Sequence, residues 1–121
     1  MSGFFEWRDR RPFYIQAPDT PLLAVAALWE DGVDATGQPH PTCCLLTTAA
    51  NATLHRLHHR MPAVLRSEEQ MLWLKLEETR PQQLLPLLHP ETTHSWVTTP
   101  VNPKVNSWRW DVPEALHPYP S

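Results

Sequence analysis

Proline limits what this chain can fold into more than any other feature, with 14 prolines against 3 glycines in 121 residues. Each proline removes a backbone donor and fixes φ, which disfavours long helices and wide central strands and favours short strands joined by rigid loops. The length suits one domain with a modest core. A hydrophobic fraction of 41% and a charged fraction of 19% are those of an ordered globular chain. The formal net charge of −3 excludes a chain-wide basic field, so any nucleic-acid contact must be local. Apolar runs such as residues 22–28 fall far short of the roughly 20 needed to span a bilayer, and no signal-peptide pattern follows Met1-Ser2-Gly3. No membrane contact and a cytoplasmic location are the default expectation.

The turn chemistry divides the chain into short elements. GFFEWR (3–8) and PFYIQ (12–16), split by Asp9-Arg10-Arg11, predict a hairpin. LLAVAALWE (22–30) reads as a buried strand, although its periodicity also admits a short helix. Residues 31–42 hold Gly32, Gly37, Pro39 and Pro41 and predict a surface loop, after which CCLLTT (43–48) resumes as a strand. A short helix is expected over 49–55. Ser67-Glu68-Glu69-Gln70 matches a capping box and opens a helix from about Glu68 to Leu76. Pro81 can start a second short helix through Leu88, residues 95–101 form a last strand, and 102–121 is a proline- and tryptophan-rich tail.

Few residues are placed to carry chemistry. Glu6 sits between Phe5 and Trp7; in an alternating strand these two share one face and Glu6 takes the other with Phe4. Apolar surroundings disfavour the charged carboxylate and suit it to proton transfer, while a half-exposed strand glutamate is the plain alternative. In His55-Arg56-Leu57-His58-His59-Arg60-Met61-Pro62, His55 and His58 are three apart, a spacing that serves a metal on a helix. No third ligand is evident, so no metal and no cofactor are expected. A histidine near a DNA backbone serves equally as a general acid or base. Cys43 and Cys44 point to opposite faces of an extended segment, which argues against a shared disulfide and suits small core residues. Trp7, Arg8, Trp108, Arg109 and Trp110 interleave rings with cations, which suits single-stranded DNA, although a tryptophan-rich segment is more often core or hydrophobic cover.

Together the motifs are more specific. The GFFEW run (3–7), LLAVAALWE, CCLLTTAAN with its Thr-x-x-Ala-Asn pattern, the LHHRMPAVL block (57–65) with its His-x-Arg-Met-Pro pattern, and VTTPVNPKVN (97–106) resemble, in order and spacing, the SOS response-associated peptidase (SRAP) family. The likeness runs from Ser2 to about Leu116. It implies an α+β fold with a mixed, mostly antiparallel, barrel-like sheet and short flanking helices, incomplete at its N-terminus. It implies capture of abasic sites in single-stranded DNA. In the family an N-terminal cysteine traps the ring-opened sugar as a thiazolidine, and a peptidase activity removes the initiator methionine. The resemblance carries proton shuttling onto Glu6 and assistance of sugar-ring opening onto His58, and it implies DNA contacts from His58, Arg60, Trp7 and Arg8. Single-stranded DNA with abasic sites is the implied partner, and a complete protein is expected to be monomeric.

The departure from the family lies at the start. Family members begin Met-Cys-Gly and run through a long segment before this strand, whereas this chain opens Met1-Ser2-Gly3. A truncated reading frame, a split gene with a separately encoded N-terminal half, and a remnant are the alternatives, the first being favoured. Ser2 is an unsuitable substitute nucleophile, because four strand residues place it roughly 13 Å from Glu6. Cys43 and Cys44 have no free α-amine. Apolar strand faces are expected to stand uncovered.

Overall fold

The computed structural model describes residues 1–75 and 80–120. Strands β1 (Phe4–Arg8), β2 (Arg11–Gln16) and β7 (Val97–Pro100) form an antiparallel sheet in the order β1-β2-β7, with Glu6 opposite Phe13 and Ile15 opposite Thr98. The expected hairpin turns on Asp9 and Arg10, whose φ angles of 50° and 66° match the twist of the flanking strands. Aspartate tolerates that left-handed region; arginine does so at a steric cost. Gly3 is required by a close approach instead: a Cβ there would lie 2.5 Å from the Ile15 carbonyl oxygen.

Two further two-stranded pairs complete the sheets, β3 (Ala27–Glu30) with β4 (Thr42–Leu45) and β5 (Thr47–Ala49) with β6 (Arg60–Pro62). The architecture is mixed α+β and mostly antiparallel, as expected, but the described residues close no barrel. The long strand expected over 22–30 begins only at Ala27. Before it, Ala24 to Ala26 pair with 63–65: the Ala26 N–H donates to the Ala63 carbonyl while the Ala26 carbonyl accepts from Leu46. That change of partner breaks the ladder. The same change divides the 43–48 strand at Leu46, whose own carbonyl accepts from Ala63 N–H. Most of β3 faces solvent, with Leu28 and Trp29 51% and 68% exposed, and Cys43 and Cys44 on the paired β4 are exposed rather than core.

The helix expected over 49–55 is reduced to a 3₁₀ turn at Leu54–Arg56, since Thr47–Ala49 is already committed to pairing with β6. Helix α1 spans Ser67–Leu74, and the expected end at Leu76 lies outside the described residues. The capping box on Ser67 does not form. Arg66 occupies the cap in extended conformation, and the buried Glu69 turns to the Arg66 guanidinium, with His89 Nε2 3.2 Å from its other oxygen. Helix α2 (Pro81–Leu84) runs into a 3₁₀ turn at Leu85–Leu87, broken at Pro86 as its sequence suggests. Ile15, Leu23, Leu54, Met61, Val64 and Trp96 form one core cluster, and Ala26, Ala63, Leu65, Trp73 and Leu84 a second. The tail folds into 3₁₀ turns at Pro103–Asn106 and Pro113–Leu116 and is pinned to β7 by Tyr119 N–H donating to the Pro100 carbonyl at 2.9 Å. Among the described residues no helix is long and apolar enough to cross a membrane.

Candidate functional site

Strand alternation on β1 sorts its side chains as expected. Phe5 and Trp7 lie together on one face, ring centroids 6.4 Å apart, while Phe4 packs edge-on against the core Trp96 at 6.3 Å. Glu6 shares the Phe4 side and is only partly covered, its side chain 24% exposed. Opposite it stands His58, 52 positions away in the chain, with Nδ1 3.8 Å from Glu6 Oε2. A pair at that distance attracts when the imidazole is charged and is not a hydrogen bond.

His58 is held by its neighbours. Its N–H donates to the Leu54 carbonyl at 3.1 Å, and the Arg60 N–H donates to its Nδ1 at 3.0 Å. Nδ1 also lies 3.3 Å from the Arg60 carbonyl oxygen. His59 stacks on it with centroids 4.5 Å apart. Arg60, at the start of β6, donates through Nη2 to the Thr47 carbonyl at 2.8 Å and through Nε to the Thr47 hydroxyl at 3.2 Å, so its charge stays fixed beside the histidine pair with no carboxylate on it among the described residues.

The Thr-x-x-Ala-Asn pattern gains a physical meaning here. Thr47 holds Arg60, and Asn51 holds the turn leading to His58: the Asn51 side-chain oxygen accepts the Leu54 N–H at 2.9 Å, and its amide donates to the Glu91 carbonyl at 2.7 Å. Neither role was evident from residue type alone, although the spacing from Asn51 to Leu54 is that of a side-chain cap. Glu91 was missed altogether. It is 1% exposed and accepts from Thr93 N–H at 2.7 Å, the Thr93 hydroxyl, His94 N–H at 3.2 Å and the Trp96 indole at 3.2 Å. Burial pushes its carboxyl pKa up, but the Thr93 and His94 hydrogen bonds more than offset this and hold it below the ordinary carboxylate range.

The other predicted contacts lie apart from the Glu6–His58 pair. Trp7 is on the opposite face of β1, where its indole N–H donates to Asn106 Oδ1 at 2.8 Å. Arg8, on the Glu6 side by alternation, is 3.8 Å from Asp9. His55 is exposed on the 3₁₀ turn, and among the described residues no three His, Cys, Asp or Glu side chains gather as a metal site.

A partly exposed carboxylate–imidazole pair thus sits on the edge strand of a mixed α+β domain with mostly antiparallel sheets. Residues 1–108 match the description of the SOS response associated peptidases (SRAP), and the chain belongs to that family. It is 31% identical over 120 residues to the abasic site processing protein YoqW of Bacillus subtilis, covering 95% of this chain and 54% of the relative. The abasic site processing protein HMCES of Gallus gallus is 30% identical over 143 residues, covering 97% of this chain and 41% of that one. A crystal structure from Bacteroides thetaiotaomicron superposes with a TM-score of 0.83 at 28% identity, covering 98% of this chain and 54% of the other. The chain thus spans about half the length of the curated relatives it matches.

Proposed function

We propose that this chain forms part of an abasic-site processing unit acting on single-stranded DNA, with Glu6 and His58 as its proton-transfer pair. The observation that carries this reading is their approach to 3.8 Å from segments so distant in sequence, in a family whose relatives are named for abasic site processing. In the chemistry implied by the family, the amine of a terminal cysteine condenses with the sugar aldehyde with loss of water, and its thiol adds to the imine carbon to close a thiazolidine. Glu6 and His58 would move protons in ring opening and condensation. Arg60, Trp7 and Arg8 would contact the strand. The cysteine itself, and removal of an initiator methionine before it, belong to a segment without counterpart in residues 1–121, which a preceding or separately encoded half would supply.

The test is a chimera that places the unmatched segment of the Bacillus relative before residue 1. With abasic single-stranded DNA it is expected to give a shifted band on a denaturing gel, and Glu6→Gln or His58→Ala is expected to slow its appearance by roughly a hundredfold. Adduct formation at the wild-type rate in both variants would overturn the assignment. The chain alone is expected to retard abasic DNA on a native gel and to leave no covalent band; a covalent band from the chain alone would show that the nucleophile lies within it.

A further inference from the structure

We infer that the β1–β2 turn and the tail together form a second contact surface for single-stranded DNA, taking the intact nucleotides that flank the abasic one. This rests on the DNA reading above and adds Arg10, Arg11, Lys104, Trp108, Arg109 and Trp110 to it. The Trp7 indole on Asn106 and the Tyr119 N–H on Pro100 hold the tail against the hairpin, so these residues lie around one end of the sheet. β1 is the edge strand of its sheet, and Trp7 and Arg8 at its hairpin end are exposed.

Charge and aromatic surface are distributed as a single strand needs them. Arg8, Arg10, Arg11, Lys104 and Arg109 are five of the chain's ten lysines and arginines, set against Asp9, Asp111 and Glu114 in the same two segments. Trp108 is 83% exposed, with the Arg109 guanidinium 5.2 Å from its ring centroid, and the Lys104 ammonium stands 6.0 Å from that of Trp110. A cation over one face of an indole leaves the other face for a base, and alternating rings and cations answer alternating bases and phosphates.

Backbone strain supplies an independent argument. Arg10 occupies φ 66°, a position where glycine would sit without penalty. An arginine kept there at a cost to folding is accounted for by a ligand that uses its charge. The SRAP match ends at residue 108, so Arg109 and Trp110 lie past it.

The experiment titrates the chain with an intact oligothymidylate, followed by fluorescence anisotropy across a range of salt. Wild type is expected to bind. The double variant W108A/R109A should bind roughly tenfold more weakly with an unchanged Tm. Arg10→Gly should raise the Tm, weaken binding, and reduce the salt slope by about one. Binding undiminished in both variants would overturn this surface while leaving the Glu6–His58 reading to the adduct assay. No affinity of the wild-type chain for intact strand would overturn it too, and an adduct still formed by the chimera would show that the first reading survives.

Discussion

Two carboxyl-terminated stories run side by side in this molecule, that of the Glu91 pocket and that of the β3–β4 ribbon. The Glu91 pocket is held by partners within the chain: Thr93, His94 and Trp96 donate to the carboxylate and Asn51 to the backbone carbonyl. On the ribbon, whose strand β3 ends in Glu30, Leu28, Trp29 and Leu45 stand at least half exposed. A two-stranded ribbon is marginal alone in water. The contrast teaches that this stretch of sequence is self-sufficient where it positions His58 and open where relatives of nearly twice the length have further chain to offer.

Mutations on either side sharpen the contrast. Glu91→Ala leaves several buried donors unsatisfied and is expected to cost about 3–5 kcal/mol in urea unfolding, the largest effect of any single change proposed here. A loss below about 1 kcal/mol would mean that the pocket is not the anchor described. Gly3→Ala comes next. The added methyl must displace the Tyr14 ring or the Ile15 backbone, and overpacking of that kind costs about 1–3 kcal/mol.

Acid should separate the two regions as well. The folded-state pKa of Glu91 lies below its ordinary value of 4.5, so the stability it contributes is fully present above that value and is lost as pH falls through the folded pKa. Thermal scans between pH 6 and about pH 2 should show a decline that begins below the ordinary value and flattens in Glu91→Gln; equal slopes would contradict it. Trp29→Ser should have the smallest effect on stability, within about 0.5 kcal/mol, yet reduce self-association in light scattering. A large loss of stability would show that the ribbon is packed after all.

Much of the fold was legible where side-chain chemistry and backbone geometry agree. The aromatic runs flanking Asp9-Arg10-Arg11 form the expected hairpin, and Pro81 opens the second helix as expected. The readings that failed did so where a backbone group changed partner. Nothing in LLAVAALWE marks Ala26 as the residue whose N–H and carbonyl serve different strands, so the strand was drawn too long and its exposed end was taken as buried. Cys43 and Cys44 were misplaced for the same reason, since small apolar residues signal core only if something covers them. Of the candidate site, Glu6 and His58 were identified by motif and stand within ion-pair distance, whereas Trp7 lies on the opposite face and Glu91 carried no local signal. A buried glutamate is recognised by its donors, which are a matter of tertiary packing.

The amide of Asn51 fastens the turn before His58 to the segment carrying Glu91. An imidazole mounted this way is placed when the polypeptide folds, so that, if the proposed pair acts on an abasic sugar, the entropy of arranging the ring would not be charged to the encounter. Asn51→Ala should then slow adduct formation by the chimera more than it weakens binding of the DNA.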